Sequence, residues 1–237
     1  IQARLTDSDL NKENSMKNKT VSIAVTADEY VSGILCAPDI GNENSTTGLA
    51  FAHGMSNDMN HPSIKGVAQG LANMGFITLR FNFPYKDKGK KSADPDHKLI
   101  RTWQAAMAFL GSQTDHPVNT MVAVGKSLGA RIASLAVAEG AIKPDHLIFL
   151  GYPLHAPGRT EQLRDAHLYS ISCPMLFFEG TRDPFCKLDL LYGVLEKIQA
   201  SHELEIIEGG DHGFSLPKSD PRKEKDVHHQ IVEKCRT

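Results

Sequence analysis

Five residues constrain this chain most: Gly125-Lys126-Ser127-Leu128-Gly129. They sit between the apolar run at 121–124 and the helix-forming run at 130–138. A strand that feeds straight into a helix must reverse within one or two residues. The residue at the apex is forced into a strained backbone conformation. Side chains two positions before and after it would collide, so glycine is favoured at both. Such a unit belongs in a parallel sheet whose crossovers are helices packed on its faces.

The rest of the chain repeats the alternation. Residues 20–27 and 30–36 are β-rich runs joined by a turn at Asp28 and Glu29, which predicts a leading hairpin. Apolar runs at 48–53, 76–83, 120–124, 146–150, 174–179 and 203–207 predict strands. Helical spacing at 63–74, 99–110, 127–139, 187–199 and 225–235 places a helix between most of them. The polar stretch 85–98 carries Lys86, Lys88, Lys90, Lys91 and Lys98 and reads as an exposed loop. The fold class is therefore α/β, a mostly parallel sheet with helices on both faces.

Composition narrows the function. At 237 residues, with 41% hydrophobic and 23% charged, the chain suits one packed domain rather than disorder. We divide it into a loose polar leader at 1–19, with Met16 as a candidate start, and one domain at 20–237. The net charge of −2 gives no basic field for nucleic acid or an anionic membrane surface. No apolar run approaches the roughly 20 residues of a membrane helix. Cys36, Cys173, Cys186 and Cys235 form no CxxC pair, so we expect free thiols and a cytoplasmic location. The expected partner is a small-molecule acyl substrate, with no cofactor and no metal.

The turn at 125–129 reads as a nucleophile elbow. Ser127 would project from the sheet at a helix N-terminus, where free N–H groups favour negative charge. Gly-Lys-Ser also ends a phosphate-binding loop, but that motif needs glycine where Thr120 stands. A serine hydroxyl needs a base, and the base needs an orienting acid. Asp183 follows the strand at 174–179, and His212 follows the next strand, each at a carboxyl end where open α/β sheets place their sites. We assign Ser127 as nucleophile, Asp183 as acid and His212 as base. Leu128 N–H and Met55 N–H, from the loop after the strand at 48–53, are the candidate oxyanion donors. His53, Gly54, Lys126, Tyr152 and His155 are candidates for lining the pocket, with His53 read chiefly as a residue that fixes its loop. His53, Asp58 and His61 lack ligand spacing for a metal. Cys186 reads as a packed thiol, and His228 and His229 as solvent-facing.

These residues carry a family resemblance. The chain resembles the α/β-hydrolase superfamily on its dienelactone-hydrolase-like side. It is most similar to a small lidless branch of predicted bacterial hydrolases that includes a testis-expressed protein and a subunit of the NSL chromatin complex. The motifs are HGMSNDMNHP from His53, LRFNFPY from Leu79, GKSLGARIAS from Gly125, GYPLHAPG from Gly151, LRDAHL from Leu163, GTRDPF from Gly180 and GGDHGF from Gly209. The resemblance implies a single-domain α/β-hydrolase fold, a Ser127–His212–Asp183 triad and no cofactor. Two departures stand out: Met55-Ser56 where the family loop is often glycine-rich, and Ser127 where dienelactone hydrolases proper use cysteine. The short 152–173 stretch leaves no room for a large cap. The expected activity is hydrolysis of a small ester, thioester or amide in an open site, preferring short acyl chains and tolerating a negative charge on the substrate because Lys126 and the lysines at 86–91 are positively charged. The alternative is a catalytically silent scaffold on the same fold, in keeping with the chromatin-complex relative.

Overall fold

A computed structural model of the chain describes residues 17–37, 46–113, 115 and 117–236; of the expected leader at 1–19, residues 1–16, with Met16, lie outside the described residues, and residues 17–19 belong to a strand. The strands are β1 (Lys17–Ala24), β2 (Tyr30–Ala37), β3 (Thr47–Ala52), β4 (Ile77–Phe81), β5 (Thr120–Lys126), β6 (His146–Leu150), β7 (Met175–Gly180) and β8 (His202–Ile207). They form one sheet in the order β1-β2-β4-β3-β5-β6-β7-β8. β1 and β2 pair antiparallel, as do β2 and β4. From β4 through β3 to β8 every pairing is parallel.

Alternation along the strands splits the core into two layers. Ala50, Ala52, Leu147 and Phe149 face one layer, while Leu49, Phe51, Ile148 and Leu150 face the other. Helices α3 (Asp96–Gly111), α4 (Leu128–Ala138) and α5 (Leu188–Leu195) cover the first, around Trp103, Ile132 and Leu191. Helices α1 (Pro62–Asn73) and α6 (Glu224–Arg236) cover the second, around Ile64, Leu71 and Ile231. Among the described residues no helix is long and apolar enough to cross a membrane. All four cysteines are free thiols.

Two expectations shift. The hairpin turns earlier than the sequence predicts, with Ala24 opposite Tyr30. Val25 and Thr26 leave the ladder because both their N–H groups donate to Glu29 O, at 2.8 and 3.1 Å, closing the turn. The 85–98 stretch is an exposed loop only in part. Tyr85 is wholly buried in a short helix, α2 (Pro84–Asp87), and α3 begins at Asp96 rather than at residue 99. The lysines around Tyr85 hide an aromatic side chain that packs inward.

Candidate active site

β5 ends at Lys126, α4 starts at Leu128, and Ser127 between them has φ 50° and ψ −112°. A positive φ on a non-glycine residue costs about 1–3 kcal/mol, so the surrounding packing must hold it. A Cβ on Gly125 would lie 2.3 Å from Ala130 N and Cα, and one on Gly129 would lie 2.5 Å from Ala52 O. Both glycines are sterically required by the close passage of strand and helix.

Three carboxyl ends of parallel strands bring the chemistry together. Ser127 follows β5, Asp183 follows β7 and His212 follows β8. His212 Nε2 lies 2.7 Å from Ser127 Oγ, and His212 Nδ1 lies 2.6 Å from Asp183 Oδ2. With its proton on Nδ1 the ring donates to Asp183, and Nε2 accepts from the serine hydroxyl. Asp183 Oδ1 accepts the Phe185 N–H at 2.7 Å, which fixes the carboxylate. The Asp183 side chain is buried while His212 is 20% exposed, so the imidazole alone of the pair reaches solvent. The Phe185 ring lies against it, with centroids 4.4 Å apart.

Lys126 braces this arrangement from below. Its side chain is buried, and its ammonium donates to the His212 carbonyl. It also lies 4.8 Å from the centre of the Phe214 ring. Burial lowers its pKa to about 8, against the opposing pull of Asp183, Glu179 and Asp211. Nearby, buried Glu179 accepts the Tyr152 N–H at 2.5 Å. Burial first, then the Asp183 charge, raises its carboxyl well above the ordinary range.

The loop after β3 runs against Ser127: a Cβ on Gly54 would lie 3.4 Å from Ser127 Cβ. Gly54, Met55, Lys126, Ser127, Leu128 and His212 share the walls of one cleft of about 670 Å³. His53 does not face it. Its ring is fully buried behind the loop, with Nδ1 2.8 Å from Gly54 O and Nε2 accepting the Phe83 N–H at 3.1 Å. Tyr85 completes the brace, its hydroxyl donating to Met55 O at 2.9 Å.

The His53 contacts carry a pH prediction. Burial, the largest cause, lowers its pKa from 6.5 to about 4. A second ring proton would also point Nε2–H at the Phe83 N–H. The unfolded chain takes up this proton first, so stability falls as pH drops from 6.5 and levels off below 4. The loss at pH 4.5 should be roughly 2–3 kcal/mol from this group. Denaturant melts at pH 7 and 4.5 check it: His53→Gln, weaker at pH 7, should lose less on acidification than the parent chain.

Tyr152 and His155 are likewise not in the cleft. Tyr152 is buried, its hydroxyl donating to Arg164 O at 2.7 Å, and His155 is buried with Nε2 accepting the Lys187 N–H at 3.1 Å. Both are turned inward to fix the connection between β6 and β7. Cys186 is buried away from the cleft walls, where burial raises its thiol pKa. None of the lysines at 86–91 reaches the cleft; its other charged or aromatic walls are His61, Arg131, Arg164 and Phe185. Sequence reading missed these four as cleft residues, although all of them come from quoted motifs: His61 from HGMSNDMNHP, Arg131 from the elbow helix, Arg164 from the LRDAHL segment and Phe185 from the GTRDPF turn. Among the described residues no group of three His, Cys, Asp or Glu is placed to hold a metal ion.

A second serine–histidine contact, Ser134 Oγ to His167 Nε2 at 2.8 Å, has the wrong polarity for chemistry. Ser134 donates its proton to Arg131 O at 2.8 Å, and Tyr152, 3.2 Å from the same nitrogen, donates to Arg164 O. His167 Nε2 is therefore the donor and takes no proton from Ser134. Ser134 also lies wholly buried within α4.

Known proteins agree with this architecture. The dienelactone hydrolase of Anabaena variabilis is 22% identical, with TM-score 0.72 over 92% of this chain and 96% of its own. A lidless α/β serine hydrolase of Xanthomonas campestris is 19% identical, with TM-score 0.73 over 93% and 94%. An esterase of Pyrococcus furiosus is 18% identical, with TM-score 0.69 over 99% and 96%. At these identities the likeness concerns the fold. Residues 45–237 match the Alpha/beta hydrolase domain family along their whole length. With its elbow, sheet order and crossovers in place, the chain belongs to the alpha/beta hydrolase domain family.

Proposed function

We propose that the protein is a serine hydrolase that cleaves a small ester, thioester or amide through an acyl-enzyme. The observation that carries this reading is the hydrogen-bonded series Ser127–His212–Asp183, set at a strained elbow and opening on a cleft. His212 accepts the hydroxyl proton as Ser127 Oγ attacks the acyl carbon. Leu128 N–H, at the start of α4, and Met55 N–H stabilise the developing oxyanion. The imidazolium then protonates the leaving group, and the neutral ring activates water to release the acid and restore Ser127. Asp183 keeps the proton on Nδ1 throughout.

Between β6 and β7 the chain forms turns and one short 3-10 helix (Ala166–Ser170), with no capping helix over the cleft. This supports the lidless branch and a preference for short acyl chains. The four free thiols support a cytoplasmic location.

The test is a fluorophosphonate probe on the purified protein with peptide mapping. Label on the Ser127 peptide is expected; label on Ser134, or none, would overturn the assignment. A panel of p-nitrophenyl esters from acetate to palmitate should show rates falling with chain length, and faster turnover of decanoate or longer would refute the open cleft.

A further inference from the structure

The charge of the cleft is opposite in sign to that of the chain. The protein carries −2, yet the described residues lining the cleft include Arg131, Arg164, Lys126 and two histidines and no aspartate or glutamate. Most of these cations are engaged. Arg131 donates to both Asp96 oxygens, at 2.7 and 2.9 Å. The Lys126 ammonium faces the His212 carbonyl. His61 lies 2.8 Å from Ser63 Oγ, and burial followed by the Lys126 charge lowers its pKa, so it is mostly neutral at pH 7.

Arg164 is different. Its guanidinium makes one hydrogen bond, Nη1 to Pro153 O at 3.1 Å, and no ion pair among the described residues. Its neighbour Asp165 is occupied, accepting the Tyr169 hydroxyl at 2.5 Å. The Arg164 backbone is pinned, its N–H donating to Leu154 O at 2.8 Å and its carbonyl accepting the Tyr152 hydroxyl at 2.7 Å. A fixed base thus carries a planar fork with free donors in the same cleft as Ser127, and that fork matches a carboxylate in bidentate geometry. Met55, 52% exposed, together with Leu128, Pro153 and Phe185, gives the same cleft an apolar surface. Tyr152, buried and outside the cleft, acts here by holding the arginine.

We propose that Arg164 is a specificity residue that binds a carboxylate on the substrate, so that the preferred substrate is a short ester or thioester bearing an acid group, such as a hemi-ester of a small dicarboxylic acid. The proposal rests on the serine-hydrolase reading for its turnover and on Arg164 alone for its binding.

The experiment compares mono-p-nitrophenyl succinate with p-nitrophenyl butyrate, each rate divided by its rate of alkaline hydrolysis. The expected ratio of kcat/KM favours the anionic ester by about tenfold at low salt and shrinks as salt rises. Arg164→Gln should lower that ratio by about 10- to 100-fold, mainly through KM of the anionic ester, and Arg164→Lys should recover part of it. A structural role would slow both esters alike and leave the ratio unchanged, which would overturn the proposal. Binding of succinate itself, followed by titration calorimetry, separates the two readings. Succinate binding weakened by Arg164→Gln supports the carboxylate site even if no ester is turned over and Ser127 takes no probe. Equal binding to parent and variant, or none to either, overturns the carboxylate site while leaving Ser127 labelling to judge the hydrolase.

Discussion

Ser127→Ala is expected to lower ester turnover by roughly four orders of magnitude or more while leaving the melting curve close to that of the parent. The substitution removes one oxygen, the atom 2.7 Å from His212 Nε2. Alanine tolerates φ 50° no better than serine, so the elbow keeps its strain and its shape. Under the proposed mechanism the oxyanion donors and the cleft remain, without a nucleophile. Ser134→Ala is the matched control, because that hydroxyl only links His167 to Arg131 O. Steady-state kinetics and thermal melts on the three proteins decide the matter. Turnover of Ser127→Ala within tenfold of the parent would return the chain to a scaffold role.

The second large effect falls on stability. Gly125→Ala should destabilise by roughly 3 kcal/mol or more, about 10 °C in Tm for a chain of this size, and abolish activity with it. The added methyl would meet the backbone of Ala130, not a side-chain tip that can swing aside. Helix α4 cannot retreat, since Ile132, Ala133 and Ala136 anchor it in the core. Gly193→Ala tests the reasoning from the other side. Nothing lies within 4 Å of its added Cβ, and it sits in helix α5 without a positive φ, so it should be neutral or stabilising by about 0.5–1 kcal/mol. Calorimetry on the pair reads both signs.

The alternation of strands with helices and the grouping of Ser127, Asp183 and His212 at strand ends were legible because each is a local pattern, whereas the place of β4 between β2 and β3 was not. A strand that ends in glycine and enters a helix announces itself, and so does a polar residue just past a buried run. Direction was not legible. His53, Tyr152 and His155 also follow strands, yet their rings turn inward to satisfy loop carbonyls and amides. From sequence an inward and an outward histidine look alike. Tyr85 went unnoticed because lysines surround it in the chain although its ring packs below them. Arg131 and Arg164 face one cleft from a helix and a loop far apart in sequence, and only the tertiary fold brings them there.

The buried ammonium of Lys126 joins the elbow strand to the carbonyl of His212 itself. Ser127 and His212 are thereby parts of one cooperative unit rather than two loops that fluctuate independently. Moving the His212 loop away from the sheet leaves a desolvated charge without its acceptor, so partial opening is penalised at both ends at once. On heating, such a centre has no long-lived half-open form in which the serine persists without its imidazole. Its loss of function and its loss of tertiary structure become a single event.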